Sequence, residues 1–270
     1  MNIKAWVLGL SASLCLMPCL AEENTSAMPA APAASDTGFI EAEALHANLS
    51  GGFGDWRDVT LRGGMQRGRH LLRGEISAQR HFNTDGMYAG VMDTWTIDAD
   101  WYGSIALGAG DGAFFLPRYR ADAFINRKWL PSRQLVTSLG AGYYRAPDHH
   151  IDRSLTVGLI YYFDAPWVVE GGVRFNRSSP GAVDSSQKFV AATYGRSGGN
   201  LVVARVAWGS EGYQAIGPGS SIVGFDSRER SLAWRHWFNR HSGVMLRAER
   251  YHNPIYRRTG VAAGLFHEFD

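Results

Sequence analysis

Apolar and polar residues alternate one by one along most of the chain from Phe39 onward. Segment 151–163 shows the pattern, with Leu155, Val157, Leu159, Tyr161 and Phe163 on one face and Ser154, Thr156 and Gly158 on the other. A period of two predicts β-strands, because successive side chains of a strand point to opposite faces. No segment competes with it by showing the 3.6-residue period and the caps of a helix.

We predict fourteen strands, although poorly defined boundaries between residues 82 and 103 leave twelve as an alternative. Most of them reach the 9–11 residues, roughly, that a tilted strand needs to cross a bilayer. Connections after even-numbered strands are short, as at 68–69, whereas several after odd-numbered strands are longer, as at 178–186 and 209–224. This alternation is typical of an outer-membrane barrel with periplasmic termini. We expect the Gly- and Ser-rich segment 209–224 to be an external loop, either mobile or folded inward as a constriction.

Charged residues share a face within several predicted strands. In segment 166–177, Glu170 and Arg174 lie opposite Trp167, Val169 and Phe175. A soluble β-sandwich would show a similar pattern strand by strand, so strand length and the N-terminal segment decide between the two classes. In lipid every backbone polar group must be paired within the protein, so the sheet must close. The predicted fold class is therefore all-β, a transmembrane antiparallel up-and-down barrel of about fourteen strands.

The first residues have the features of a secretory leader. Lys4 precedes an apolar stretch, and Cys19-Leu20-Ala21 offers a small-x-small cleavage site. We predict a signal peptide over 1–21, a disordered linker rich in Ala, Pro and Ser over 22–38, and the barrel over 39–270. After residue 21 there is no apolar run long enough for a spanning helix.

Composition agrees with this class and excludes others. The 27 basic and 25 acidic residues give a net charge of +2, and they form no basic stripe of the kind that binds nucleic acid. The 32 glycines and many aromatic residues suit a turn-rich β protein. Aromatic residues near strand ends, among them Trp56, Trp129, Trp167 and Trp237, predict interfacial girdles.

The central part of the chain carries a family resemblance. The segments "FLPRYRADAFINRKWLPSRQLVTSLGAGYYR" and "VGLIYYFDAPWVVEGGVRFNRS" show an Arg-rich strand, a turn with Pro, a strand ending in aromatic residues and a Gly-rich strand. Over about residues 38–270 the chain resembles the YaiO-family outer-membrane β-barrel proteins. The resemblance implies a barrel and an outer-membrane location, and it carries over no activity and no catalytic residue. The ending Phe-Asp departs from the terminal aromatic residue that the family pattern leads one to expect.

Charges of both signs are predicted to face the barrel interior. They form either a salt-bridge network that holds or closes the barrel, or the lining of a polar pore or binding lumen. The candidates are Glu41, Glu43, Arg62, Arg73, Glu75, Arg120, Asp122, Glu170, Arg174, Arg205, Arg235, Arg247 and Glu249.

An enzyme active at the barrel rim is the competing class, because such enzymes place a His beside a Ser or an acid. Nine His residues are present, but none lies in the His-x-Ser-Asn-Gly signature of outer-membrane phospholipases. His149 and His150 are adjacent and would point to opposite faces of a strand, so they do not predict a metal site. The glycines at 108–115 have no helix after them, which excludes a phosphate-binding loop. We expect no catalytic residue, no metal and no cofactor.

The sequence therefore predicts a non-enzymatic integral outer-membrane protein, a conduit for a polar solute or an exported polysaccharide. A lipid-modifying enzyme and a structural or adhesive barrel are the alternatives. The expected partners are outer-membrane lipid, periplasmic chaperones and the barrel-assembly machinery, whose recognition signal would include Gly264 and Phe269 in the last strand. We expect Asp270 to be an exposed overhang.

Overall fold

The computed structural model describes residues 37–269, which form a closed antiparallel barrel of fourteen strands. The strands are β1 (Gly38–Leu49), β2 (Trp56–Arg67), β3 (His70–His81), β4 (Thr84–Thr96), β5 (Trp101–Gly110), β6 (Tyr119–Trp129), β7 (Leu135–Arg145), β8 (Ile151–Tyr162), β9 (Trp167–Ser179), β10 (Val183–Gly195), β11 (Asn200–Gly217), β12 (Ser220–Trp237), β13 (Ser242–His252) and β14 (Arg257–Phe269). The predicted fold class and the count of fourteen are confirmed, and the alternative of twelve strands is excluded.

The first and last strands close the sheet. β1 pairs with β14 from Gly38 opposite Phe269 to Leu49 opposite Arg258. Each other strand pairs with its neighbours in sequence, so the barrel is a simple up-and-down meander without a free edge. Between residues 37 and 269, no helix is long and apolar enough to cross a membrane.

The outer surface of the barrel is apolar. Large side chains on nearly every strand point outward, and Val157, Val261 and Leu265 remain 49%, 61% and 63% exposed. A continuous apolar surface of this kind would be unstable in water, and it is what the hydrocarbon core of a bilayer covers. The alternate residues of the same strands point inward and include the buried charged side chains, together with buried apolar ones such as Val136, Ile160 and Phe266.

The two ends of the barrel differ in their connections. We call the end where β1 begins and β14 finishes the terminal end, and the opposite one the distal end. At the terminal end the strands are joined by 68–69, 97–100, 130–134, 163–166, 196–199 and 238–241. At the distal end the connections include the longer segments 50–55 and 111–118, as expected after odd-numbered strands. The long connection predicted at 178–186 is wrong, because only residues 180–182 lie between β9 and β10.

The loop predicted at 209–224 is also wrong. Most of this segment continues β11 and β12 as a paired hairpin, from Gly209 opposite Ser227 to Gly217 opposite Ser220. Only Pro218 and Gly219 form the turn, and Gly219 has a φ of 70°, a left-handed conformation that glycine adopts without a steric cost. The small polar residues of the segment gave no apolar alternation, which is why the strand pattern was not recognised.

The aromatic girdle prediction is correct for some residues and wrong for others. Trp129 and Trp167 point outward and are 37% and 45% exposed, as an interfacial position requires. Trp56 and Trp237 instead face the interior and are buried. Trp56 lies on the same strand face as the inward Asp58, and Trp237 lies on the same face as the inward Arg235. The alternation of faces along each strand therefore indicates an interior position for both.

The predicted signal peptide, 1–21, lies outside the described residues. The predicted linker, 22–38, does so as well except for Thr37 and Gly38, and Gly38 already belongs to β1. Asp270 is also outside the described range.

Candidate functional site: the charged lumen and its distal mouth

All thirteen charged residues predicted to face the interior occupy inward positions, on strands whose alternate side chains form the apolar outer surface. They divide between two walls. One wall, from β11 through β14 and β1 to β3, carries Glu41, Glu43, Arg62, Arg73, Glu75, Arg205, Arg235, Arg247 and Glu249. The opposite wall carries Arg120 and Asp122 on β6 and Glu170 and Arg174 on β9.

The first wall is covered by a chain of ion pairs. Arg247 bonds Glu249 and, through Nη2, approaches Glu43 Oε1 to 3.0 Å. Arg62 lies 3.8 Å from the same Glu43 oxygen and 3.2 Å from Glu75 Oε2. The chain thus connects β13, β1, β2 and β3. Because four of these five side chains are less than a tenth exposed, the charges are fixed by one another and not by water.

Two residues that the sequence analysis did not select extend this chain. Arg258 on β14 approaches Glu249 to 3.1 Å and Glu229 on β12 to 3.6 Å. Glu229 in turn accepts a bond from Arg205 at 3.2 Å. Parity could have found both, since Arg258 shares the even positions of Gly264 and Glu268, and Glu229 the odd positions of Arg235. We call the whole chain, from Glu75 to Arg205, the charged wall.

A separate clamp holds Arg235 at the terminal end. Its guanidinium donates to Glu41 at 2.9 Å and to Glu268 at 3.3 Å. The same group lies 3.5 Å from the centre of the Phe266 ring. Glu268 also accepts a bond from the Trp237 indole. Arg235 is only 2% exposed, but the two carboxylates and the aromatic face compensate its positive charge.

The opposite wall combines small residues with larger side chains, such as Phe124, which lies over Gly140, and Phe189, which lies over Gly172. The inward positions of β7 to β10 include Ser138, Gly140, Gly142, Ser154, Thr156, Gly158, Gly172, Ala191 and Thr193. Charges on this side are few, and one of them, Arg120, bonds Asp122 on its own strand. The inner surface therefore has one side covered by a chain of ion pairs and an opposite side with fewer charges and more small polar residues.

Aromatic side chains gather at the distal opening. The mouth cluster, as we call it, consists of Ala47, Trp56, Phe82, Tyr251 and Tyr256. The residues that pack against it are Leu49, Phe53, Phe114, Phe115 and Ile216. Phe114 and Phe115 come from the connection between β5 and β6, whereas Ile216 comes from the β11–β12 hairpin. Because these two elements start six strands apart in the barrel, their packing against one cluster brings side chains from distant strands together over part of the distal opening.

The extended β11–β12 hairpin is attached to this opening by polar contacts. Tyr213 stacks on His150 with ring centres 3.7 Å apart, and its hydroxyl donates to Asp148. Burial raises the pKa of Tyr213, and the hydrogen bond to Asp148 raises it further, so the phenol stays protonated as the donor. Gln214 donates to the Tyr256 hydroxyl at 2.5 Å and accepts from Asn253 at 3.0 Å.

A His, an Asp and a Ser meet below the hairpin, which bears on the enzyme alternative. Asp152 lies 2.9 Å from His150 Nε2 and accepts a hydrogen bond from the Ser178 hydroxyl. A nucleophilic serine must instead bond the imidazole, with the acid on the far side of the ring. Here the carboxylate lies between the two groups, and Tyr213 covers the His150 ring. This arrangement fixes the hairpin and lacks the nucleophile–base contact of a hydrolase.

Metal-ligating side chains do not converge anywhere in the part of the chain from Thr37 to Phe269: no three His, Cys, Asp or Glu residues there are placed to hold an ion.

Comparison with known proteins identifies the fold and the family. No curated protein matches the chain. Among solved structures, it is similar to the CymD monoaromatic hydrocarbon channel, with a TM-score of 0.56 and 7% identity over 86% of this chain and 87% of that one. It is also similar to a bacterial polysaccharide outer membrane secretin, with a TM-score of 0.53 and 8% identity over 87% and 98% of the two chains. A third similar structure is the loop L8 deletion mutant of OmpT from Vibrio cholerae, with a TM-score of 0.51 and 9% identity over 87% and 99%.

At these identities the three likenesses show the fold alone. The family is shown by a different comparison, in which the model of the YaiO membrane beta barrel domain matches residues 38–214, from the start of β1 into the distal hairpin. The match confirms the resemblance predicted from the sequence, and the location follows from the apolar outer surface of a closed barrel. The chain belongs to the YaiO membrane beta barrel family and is an outer-membrane protein.

Proposed function

We propose that this protein is a non-enzymatic, gated conduit for polar solutes across the outer membrane. The observation that carries the proposal is the division of the inner surface between the charged wall and an opposite wall with fewer charges and more small polar residues. A barrel that served only as an anchor would need no such division. Charges held by their neighbours keep the charged wall in place, and the opposite wall would border the path of a solute.

The polar character of the solute follows from what it would meet. Arg120 and Asp122 on β6 and Glu170 and Arg174 on β9 offer charges of both signs beside serine and threonine hydroxyls. An apolar molecule would displace water from these charged and hydroxyl groups without replacing its hydrogen bonds. A sugar or a short polysaccharide would exchange its water hydrogen bonds for these groups.

The gate in this proposal is the mouth cluster together with the β11–β12 hairpin. Since barrels of this class are expected to keep their termini on the periplasmic side, the distal end would face the cell exterior. Opening would require the hairpin to break two contacts between single side chains. These are the contact of Tyr213 with His150 and that of Gln214 with Tyr256. Such contacts are weaker than the strand pairing below them, so the gate can move while the barrel stays closed.

Planar bilayer recordings test the conduit and the gate together. In one variant, Ser210 is joined to Asp226, its register partner, by an Asn-Gly turn, which removes the distal part of the hairpin. A control variant replaces only Pro218-Gly219 by Asn-Gly and keeps the hairpin length. We expect rare, small openings from the natural protein and the control, and sustained conductance from the shortened variant. Faster migration of unheated than of boiled samples on a denaturing gel verifies folding.

Three results would contradict parts of this proposal. Absence of conductance from all three folded proteins would refute the conduit and favour a structural or adhesive barrel. Equal conductance from all three would refute the gate. Release of fatty acid from phospholipid vesicles by the natural protein would refute the non-enzymatic part, and loss of that release in a His150→Ala variant would locate the activity.

Assembly is a further part of the proposal. We expect periplasmic chaperones and the barrel-assembly machinery to be partners, with the last strand as the recognised segment. Its outward face ends in Leu265, His267 and Phe269, and Gly264 faces the interior opposite Glu43.

A further inference from the structure

We infer that the outer face of the distal end binds the phosphate groups of membrane lipid, through arginines that lie just beyond the apolar surface. We call these residues the outer arginine belt, and they are Arg57, Arg80, Arg153, Arg177, Arg228, Arg230, Arg250 and Arg257. The inference depends on the membrane location of the barrel and not on the proposed conduit.

The belt lies at the height of lipid headgroups. On β12, Arg230 precedes by two residues the outward Leu232, which is 54% exposed. On β13, Arg250 lies two residues from the outward Ala248. Two residues along a strand span about 6–7 Å, so each guanidinium begins within one headgroup depth of the surface that acyl chains cover.

Cross-strand pairing places cations directly opposite one another within the belt. Arg230 pairs with Arg250 on the neighbouring strand, Arg57 with Arg80, and Arg153 with Arg177. Like charges directly opposite on one face of a sheet destabilise it. In two of these pairs a carboxylate lies beside one arginine, Asp85 beside Arg80 and Asp184 beside Arg177. Within residues 37–269 the Arg230–Arg250 pair has no such carboxylate, so a bound anion between its guanidinium groups would offset the repulsion.

Most belt arginines have no carboxylate partner in the protein. Arg80 is paired with Asp85 at 2.7 Å, and Arg177 lies 3.9 Å from Asp184. For Arg57, Arg153, Arg228, Arg230 and Arg250, no ion pair with any residue between 37 and 269 exists, and all five are exposed. The arginines of the charged wall, by contrast, lie against carboxylates.

The densest part of the belt spans β12 to β14. Arg228 pairs across the sheet with His252, which pairs with Arg257 on the next strand. Arg230 and Arg250 lie two residues further along their strands toward the membrane than Arg228 and His252. Asp226 is the acid on the same face of β12, and it lies further from the apolar surface than Arg228. A phosphate arriving with its acyl chains against Leu232 and Leu246 would meet four guanidinium groups and one imidazole.

Phosphate is the anion that suits this arrangement. The guanidinium group forms paired, charge-assisted hydrogen bonds to phosphate oxygens, and these are stronger than neutral hydrogen bonds. The adjoining apolar residues favour a phosphate that is part of a lipid over a free ion, because they contact its acyl chains. At the terminal end Arg133 already lies 2.8 Å from Asp100, and His70 lies 2.8 Å from Asp93.

The test measures lipid retained by the full chain. The protein is reconstituted in phosphatidylcholine vesicles that contain a minor fraction of diphosphorylated lipid A, extracted in neutral detergent, and analysed by native mass spectrometry. The test variant combines R228Q, R230Q and R250Q. The matched control combines R67Q, R196Q and R240Q, which removes the same charge from exposed positions at the terminal end. Heat-modified migration on a gel shows that each protein is folded.

We expect lipid A affinity to fall roughly fivefold for each belt arginine removed, as for basic residues at an anionic membrane surface, and to stay unchanged in the control. Dephosphorylated lipid A should be retained weakly by all three proteins. Equal loss in the two variants, or equal retention of phosphorylated and dephosphorylated lipid, would overturn the inference. Displacement of lipid A by inorganic phosphate alone would show a site for a free anion instead, and would overturn the assignment to lipid.

Discussion

Arg247 is the residue that joins most of the charged wall, because its guanidinium lies between Glu43 and Glu249. Replacing it by Ala would leave Arg62 as the remaining cation near Glu43 and Arg258 as the one near Glu249, so the buried chain would carry one uncompensated negative charge. We expect Arg247→Ala to lower the free energy of unfolding by about 3–5 kcal/mol, the usual effect of removing one partner from a buried ion pair. Urea titration of the protein in zwitterionic vesicles, followed by tryptophan fluorescence, measures this loss.

The control for this prediction is an ion pair at the surface. Arg177 and Asp184 are 66% and 73% exposed and lie 3.9 Å apart. Water already screens this pair, so Arg177→Ala should change the free energy of unfolding by about 0–1 kcal/mol. If the two substitutions had similar effects, the ion pairs of the charged wall would be solvated, and the wall would not be held by its charges.

Single residues could be assigned to a face from the sequence, because one parity holds along a strand. That rule placed Glu41, Arg235 and the other predicted charges on the inward face without any knowledge of contacts. It could not identify their partners, since the register between strands decides which charges meet. Arg258 was missed although its parity was available, because it lies next to the outward Arg257 at the start of a strand.

At the scale of elements, the β11–β12 hairpin is the part that the sequence predicted least well. Its residues lack apolar alternation because they extend past the barrel, where neither face meets lipid. What keeps them in place is contact with distant turns, such as Tyr213 with His150 and Gln214 with Tyr256. Contacts between residues far apart in sequence leave no local periodicity, so the segment resembled a loop.

The Tyr213 contact gives a prediction for this element. Tyr213→Ala removes both the stacking on His150 and the hydrogen bond to Asp148. We expect the hairpin to leave the distal opening more often, so that its turn is cleaved by added protease several-fold faster than in the natural protein. Tyr213→Phe keeps the ring and loses only the hydrogen bond, and it should give an intermediate rate. Equal rates in all three proteins would mean that the strand pairing alone holds the hairpin.

For the whole molecule, strand number and closure followed from the sequence, because length, parity and turn residues repeat around the barrel. Whether the lumen is open or covered did not follow. The mouth cluster collects residues from β1, β2, β13 and the connections at 82–83 and 111–118, and their convergence is a property of the closed ring. The family match ends at residue 214, yet β12 to β14 are needed to bring β14 against β1.

The pairing of β1 with β14 gives Gly264 a steric role, which differs from recognition by assembly factors. A Cβ atom there would lie 2.5 Å from the backbone oxygen of Ala42 and 3.1 Å from Glu43 Cα, so β1 and β14 would have to separate. We expect Gly264→Ala to cost about 1–3 kcal/mol and to reduce the folded fraction when the purified chain refolds into detergent micelles, as measured by heat-modified migration.

Gly158→Ala is the matched control, because its added methyl group would meet Ser138 Cβ at 3.5 Å and Gly171 O at 3.7 Å, which are ordinary contacts. No assembly machinery is present in micelles, so a loss confined to Gly264→Ala would be steric. If Gly264→Ala refolded normally in micelles but accumulated poorly in cells, as expected for Phe269→Ala, then Gly264 would act as part of the assembly signal. Because this glycine lies at the β1–β14 seam, this one comparison separates its steric role from a role in recognition.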